Sequence, residues 1–463
     1  MKDNGNWRPT KSMRIGLLGM LLPLTLSSTA QTSLRWDPPS AAPTVTTPQY
    51  QSPAQAQAYR TSLATQRVMP VAQGFDVAAF ENIATSLTVG QRVPGMAMAI
   101  VQNGRVLSAR GYGVTDVVSP QLVDGHTVFR LASMSKAFAG TMTGLLVNDG
   151  SLRWDSKVTD YVPSFQLSDP LATQRVTVAD LLSHRVGLKA HNAFDRDIEG
   201  NAEYYNVARK LADAPLECAP GQCYAYQNVA FSLIGDVVFA ATGSFYDQAV
   251  DRRIFKPLGM NDASIGLTGI ESSSRWARPH VRSRNGWVSI MPKPTYYRLP
   301  PAAGVNASAS DMAQWLIAQT GHRPDVLPAP LLATLHAPLI NTPGEMRAGW
   351  RRERIFSAGY ALGWRVFDYA GHQVVFHAGA VQGYRGLVAL IPERDLGIAI
   401  MWNSESSLPT GLLPTILDRA MGLPTQQWLD EKIGSDLLMA DSVDTPTQDT
   451  SGSSAAKAAA SPK

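Results

Sequence analysis

The spacing of apolar residues changes along the chain and divides its middle into blocks. From about Phe75 to Thr88 apolar and polar positions recur at helical spacing, which predicts a helix. The apolar stretch Gly95 to Val101 follows, and Asn103-Gly104 separates it from a second run, Arg105 to Ala109. Asn-Gly between two apolar runs predicts a β-hairpin. A second group of strands is predicted near the other end, at Gln373 to Phe376, Arg385 to Ile391 and Gly397 to Met401, with the turn Pro392-Glu393-Arg394-Asp395 joining the last two. The long stretch between the two groups is mainly helical in pattern, with irregular Pro- and Gly-rich connections and no internal repeat. One antiparallel sheet built from both ends, with a helical lobe inserted between them, satisfies this distribution and gives an α/β (α+β) class. The sheet lobe is expected over about 74–130 and 330–424, and the helical lobe over about 131–329.

The flanks read differently. Lys11 and Arg14 precede the apolar run Ile15 to Leu26, and Ser28, Thr29 and Ala30 offer small residues for cleavage, so residues 1–30 are expected to be a signal peptide, with Met13 an alternative start. The run is shorter than the roughly 20 apolar residues needed to cross a bilayer. Export to the periplasm or beyond is the expected localisation, without stable membrane insertion after cleavage. Residues 31–73 are rich in Pro, Gln, Ala, Ser and Thr and are expected to form an arm. Residues 425–463 form a C-terminal extension, expected to be disordered from about Asp441.

Composition narrows the function classes. With 463 residues, 44% hydrophobic and 17% charged, the chain can bury a large core. Its formal charge is +4, but Lys2, Arg8, Lys11 and Arg14 against Asp3 place +3 of it in the first 30 residues. The rest carries +1 and no basic cluster, which argues against nucleic acid as a partner. The eight histidines are scattered without a His-Glu-x-x-His pattern, and no metal or other cofactor is expected. Cys218 and Cys223 flank a Pro-Gly turn; in an oxidising compartment they close a small disulfide loop, and otherwise they are two free thiols. Zinc is disfavoured, since no second pair accompanies them. His184, beside a predicted helix over Val178 to Leu182, is expected to be a structural hydrogen bonder.

Three short elements carry chemistry. Ser133-Met134-Ser135-Lys136 opens a predicted helix running to about Val147, with a stop at Asn148-Asp149-Gly150. Positions three apart share a helix face, so the Ser133 hydroxyl and the Lys136 amine can meet. A serine hydroxyl becomes a nucleophile once a neighbouring base takes its proton, and a desolvated lysine is such a base. Tyr226-Gln227-Asn228 precedes the apolar run Val229 to Ala240 and offers a phenol for proton transfer and an amide for a substrate carbonyl. His377-Ala378-Gly379 ends an apparent strand and is followed by Ala380, whose amide can pair with that of Ser133 as an oxyanion hole. Each triplet alone is a weak signal; their order is what gives them weight. A Ser-His-Asp hydrolase is disfavoured because no Gly-x-Ser-x-Gly elbow occurs.

In this order the elements resemble the class C β-lactamase family and its relatives, among them family VIII carboxylesterases, D-aminopeptidases and low-molecular-mass penicillin-binding proteins. The resemblance runs from about Phe75 to Leu423 and includes Val93-Pro94-Gly95-Met96, Tyr112-Gly113-Val114, Leu181-Leu182-Ser183-His184, Lys256-Pro257-Leu258-Gly259-Met260, Leu362-Gly363-Trp364 and Ile391-Pro392-Glu393. It implies two lobes with a cleft between them. It also implies Ser133 as nucleophile, Lys136 and Tyr226 as acid/base pair, the Ser133 and Ala380 amides as oxyanion hole, and Asn228, His377, Gly379 and Asn403 as substrate-binding residues. One departure stands out. Class C enzymes usually carry Lys-Thr-Gly where this chain has His377-Ala378-Gly379, so a fixed cation expected to face an anionic substrate is weakened. A lysine introduced at 377 is therefore expected to favour anionic cephalosporins. The substrate implied is a β-lactam, an ester or a D-amino acid amide. The alternative is a penicillin-binding, cell-wall interaction protein that is acylated and scarcely turns over.

Overall fold

The computed structural model describes residues 68–347 and 349–429. The expected signal peptide, the arm up to residue 67 and the tail from residue 430 lie outside them. Helix α1 (Val77–Thr88) starts at Asp76, whose carboxylate accepts from the Ala78 amide, satisfying one of the amides a helix start leaves open. Strands β1 (Gly95–Gln102) and β2 (Arg105–Gly113) follow as a hairpin. Its turn residues Asn103 and Gly104 have φ of 48° and 68°, the left-handed pair that a tight two-residue hairpin requires. The hairpin is one end of an eight-stranded antiparallel sheet completed by β3 (Ile340–Asn341), β4 (Ile355–Tyr360), β5 (Arg365–Tyr369), β6 (His372–Val381), β7 (Tyr384–Ile391) and β8 (Leu396–Trp402). Spatially the order is β2-β1-β8-β7-β6-β5-β4-β3. Strands from the two ends of the domain meet in the pairing of β1 with β8, in register from Met96–Trp402 to Gln102–Leu396.

Alternation along the strands gives the sheet two apolar faces. Met96, Met98 and Ile100 pack with Val374, Phe376, Ile398 and Ile400 beneath α1 and the C-terminal helix Leu412–Met421. Ala97, Ala99 and Val101 point the other way, with Val375, Val388 and Met401, into the larger core shared with the helical lobe. The central helix of that lobe, α2 (Ser135–Asn148), is apolar around most of its surface and almost wholly buried. This is what a helix enclosed on all sides requires.

Three boundaries differ from expectation. The helix Ala309–Ile317, inside the span assigned to the helical lobe, packs on β1, β2 and β8 and so belongs to the sheet. Strand β6 extends to Val381, so His377-Ala378-Gly379 lies within the strand and not at its end. Strands β4 and β5 were not anticipated individually. Among the described residues no single helix is long and apolar enough to cross a membrane.

Cys218 and Cys223 are joined by a disulfide. The loop they close lies against the segment after His184, where the Glu217 amide donates to the Gly187 carbonyl (2.8 Å) and the Gly221 amide to that of Arg185 (2.7 Å). Closing so short a loop constrains the unfolded chain by about 2 kcal/mol. Replacing both cysteines by serine is expected to lower unfolding free energy by no more than about that amount, measured by denaturant titration.

Candidate active site

The position of Ser133 is set by a short, irregular piece of backbone. Ser133 lies in a 3₁₀ turn, Ala132–Met134, immediately before α2. Ala132 has φ of 49°, a left-handed conformation costly for a residue with a Cβ and held only by surrounding structure. One neighbour doing so is β6. At Gly379 the strand passes so close to the turn that a Cβ there would overlap the Leu131 carbonyl oxygen. The absence of a side chain at 379 therefore lets Ala380 and Ser133 line one cavity.

Lys136, the second residue of the helix, is fully buried. Its Nζ lies 3.3 Å from Ser133 Oγ, 2.7 Å from Asn228 Oδ1 and 3.2 Å from the Ala302 carbonyl oxygen. It also sits 4.6 Å from the ring centroid of Tyr226. Tyr226 and Asn228 come from the segment leading into the helix Val229–Thr242. They are placed by backbone contacts: the Tyr226 amide donates to His191 Nδ1 (3.0 Å), and its carbonyl accepts from the Asn192 amide (2.7 Å). Hydroxyl, amine, phenol and carboxamide thus meet from two distant stretches of chain, and a third brings Gly379 and Ala380 to the same cavity of about 350 Å³.

The sequence model of the beta-lactamase family matches residues 80–420, a span that holds every one of these groups. The chain belongs to the beta-lactamase family.

Similar proteins include an unguisins hydrolase of Aspergillus campestris, 27% identical over 336 residues, 70% of this chain and 61% of that protein. Protein flp of Staphylococcus aureus is 26% identical over 316 residues, 68% of this chain and 60% of its own length. The chain thus spans about three-fifths of the length of the curated relatives it matches. Among solved structures, the octameric penicillin-binding protein homologue from Pyrococcus abyssi superposes with a TM-score of 0.67 at 23% identity, covering 76% of this chain and 79% of that one. SurE does so at 0.59 and 22%, covering 80% and 78%. These likenesses show the beta-lactamase and transpeptidase fold.

Two residues expected at the substrate sit elsewhere. Asn403 is fully buried and donates from Nδ2 to the carbonyls of Val114 (3.3 Å) and Thr115 (3.1 Å), while its backbone amide reaches the Gly95 carbonyl (3.1 Å). It fastens the end of β8 to the chain around β1 and does not line the cavity. His377 shares a strand face with Gly379, yet its ring is fully buried against Tyr360 and is not part of the cavity wall.

Arginines, not His377, bring positive charge to the cavity, and the one packed against Tyr226 is Arg365, at the start of β5. Its guanidinium lies 5.2 Å from the Tyr226 ring centroid and is ion-paired to Glu345 at 3.0 Å, and Glu345 also holds Arg351 at 2.7 Å. Burial opposes that charge, but Glu345 and then the surrounding phenols outweigh it, and the guanidinium is held well above its usual range. Arg365 and Arg385 both line the cavity. No motif marked Arg365; what betrays it is packing against the tyrosine.

The helical side of the cavity carries two carboxyls, Asp195 and Glu199, along with Arg196. Asn228 Nδ2 donates to Asp195 Oδ2 at 2.6 Å, and Tyr296 Oη bridges Asp195 (3.1 Å) and Glu199 (2.9 Å). Burial pushes the Asp195 carboxyl up to about 7, against the Asn228 hydrogen bond and the Lys136 charge, which favour the anion. Sequence reading missed this group, since an Asp and a Glu four apart look like any exposed helical turn. Among the described residues no cluster of three or more His, Cys, Asp or Glu side chains is arranged to hold a metal ion.

Two outcomes are expected. Between pH about 4 and 7 the unfolded chain has Asp195 ionised while the folded chain keeps the proton, so this group's contribution to stability falls as pH rises through that window. Asp195→Asn is expected to flatten the decline, by at most about 4 kcal/mol between the two ends, in denaturation series at fixed pH. His377→Lys is expected to bury a cation beside Arg365 and Lys136 and to lower stability by about 3 kcal/mol or more, read as a drop in Tm. This replaces the expectation that a lysine at 377 would meet an anionic substrate.

Proposed function

We propose that this protein is an exported serine hydrolase that works through a covalent acyl-enzyme on Ser133. The observation carrying the reading is the buried Lys136 amine 3.3 Å from the Ser133 hydroxyl and packed against Tyr226. In the proposed cycle the Lys136–Tyr226 pair takes the Ser133 proton as Oγ bonds to the substrate carbonyl carbon. The negative oxygen that results is received by the amides of Ser133 and Ala380. Collapse breaks the bond to the leaving group, which takes the proton back from the pair. Water then attacks the Ser133 ester, gives its proton to the same pair, and releases the acid with the Ser133 hydroxyl restored. Asn228, hydrogen-bonded to Lys136, Asp195 and Asn192, orients the amine at the cavity wall.

Among β-lactams, esters and D-amino acid amides, the cavity favours polar, amide-bearing substrates. Arg365 and Arg385 offer partners for a carboxylate on the sheet side, and Asp195 and Glu199 offer partners for N–H groups on the helical side. A hydrolase name among the relatives is in keeping with turnover. Export is supported by the amino-terminal pattern of residues 1–30 and by the disulfide between Cys218 and Cys223.

The test is parallel kinetics on a chromogenic cephalosporin, a p-nitrophenyl ester and a D-alanine amide, with mass spectrometry of the intact protein. Ser133→Ala is expected to lose the acyl adduct and to cut kcat by about 10³-fold or more on whichever substrate is accepted. Full activity of that variant refutes the mechanism. An adduct that persists for hours with little product moves the protein to the penicillin-binding reading.

A further inference from the structure

Beside the cavity, four hydrogen bonds link five groups in a continuous line between its two walls. The Gln227 backbone amide lies 3.1 Å from His184 Nδ1, and His184 Nε2 lies 3.2 Å from Tyr360 Oη. Tyr360 Oη is 2.9 Å from His377 Nε2, and His377 Nδ1 is 2.7 Å from the Ala378 carbonyl oxygen. All three side chains are essentially inaccessible to solvent.

The backbone groups at the ends fix the Nδ1 of each ring, and the low pKa of both rings orders the protons between them. An amide N–H can only donate, so His184 Nδ1 accepts and its proton sits on Nε2, pointing at Tyr360. A carbonyl can only accept, so His377 carries its proton on Nδ1 and leaves Nε2 to accept from the Tyr360 hydroxyl. The two imidazoles are therefore neutral and of opposite tautomer, with one hydroxyl relaying the direction between them. Burial, reinforced by Arg365 and Lys136, depresses the pKa of both rings and keeps them uncharged. The line is also anchored geometrically. His184 has φ of 57°, and its carbonyl accepts from the Ala225 amide at 3.0 Å, so the residue grips the Tyr226 segment at two points.

We infer that Tyr360 is a positioning residue for acyl transfer: with His184 and His377 it ties the Tyr226–Asn228 segment to the strand carrying Gly379 and Ala380. The two walls do different chemistry in the proposed cycle, proton transfer on one and oxyanion stabilisation on the other, and the tie sets their separation. A shift of about 1 Å in such a spacing costs about 10²-fold in rate. The inference rests on the acyl-enzyme reading for its consequence, but its hydrogen-bond order can be checked without activity.

The experiment uses the full chain labelled with ¹⁵N-histidine. Ring nitrogen shifts near neutral pH are expected to show His184 protonated on Nε2 and His377 on Nδ1, assigned with His184→Gln and His377→Gln variants. Matching tautomers, or an imidazolium at either ring, would overturn the proposal. Tyr360→Phe is expected to move both sets of shifts and to lower kcat by about 10- to 100-fold, with KM changed less than about threefold, on the ester or cephalosporin that the wild type turns over. A kcat within about twofold of wild type would equally defeat it. Should Tyr360→Phe not fold, the wild-type tautomers decide alone. Failure of the acyl-enzyme reading shows separately, as undiminished activity of Ser133→Ala.

Discussion

Everything at this site depends on one contact between backbones, the approach of strand β6 to the Leu131–Met134 turn at Gly379. A sheet strand and a helix start normally keep a side chain's width between them. Here that layer is missing, so Ser133 and Ala380 line the same cavity. The turn answers with a left-handed Ala132, a conformation that persists because the buried helix behind it and the strand in front leave no room to relax. The position of Ser133 is thus a property of the whole core and not of the Ser-x-x-Lys segment alone.

The electrostatics follow from burying an amine at that point. Lys136 is shielded from water, its amine reaches Ser133, Asn228 and Ala302, and Asn228 in turn donates to the Asp195 carboxylate. A carboxylate touching the amine would hold its proton firmly and blunt it as a base. On the other side, Arg365 sets a positive charge beside Tyr226, where negative charge develops if the phenol gives up its proton.

Much of this was legible in the sequence, because strands from the two ends of the domain have distinct apolar runs and the Asn103-Gly104 turn has a specific backbone requirement. Ser133, Tyr226, Asn228, Gly379 and Ala380, which the sequence set out in this order, line one cavity, and Lys136 lies buried against Ser133 and Asn228. What could not be read was the direction of side chains that pack from neighbouring strands. His377 lies on the face expected of it, but Tyr360 from two strands away covers it. Arg365 and Asp195 occur in no recognisable pattern, since each acquires its role from a partner, Glu345 or Asn228, that only folding brings near. Asn403 had the right chemistry for a ligand, yet the carbonyls of Val114 and Thr115 claim its amide.

The Glu345–Arg365 pair has a further consequence. Glu345 stands on the turn after β3, the border strand of the sheet, far in sequence from the serine and from the strand that walls the cleft. The polarity of that wall is therefore governed from the sheet's periphery, where backbone register is least constrained. Removing the carboxylate at 345 would take one shared counter-charge from the buried guanidiniums of Arg365 and Arg351, altering the field at the Tyr226 ring and the cavity's appetite for anions at a cost in stability.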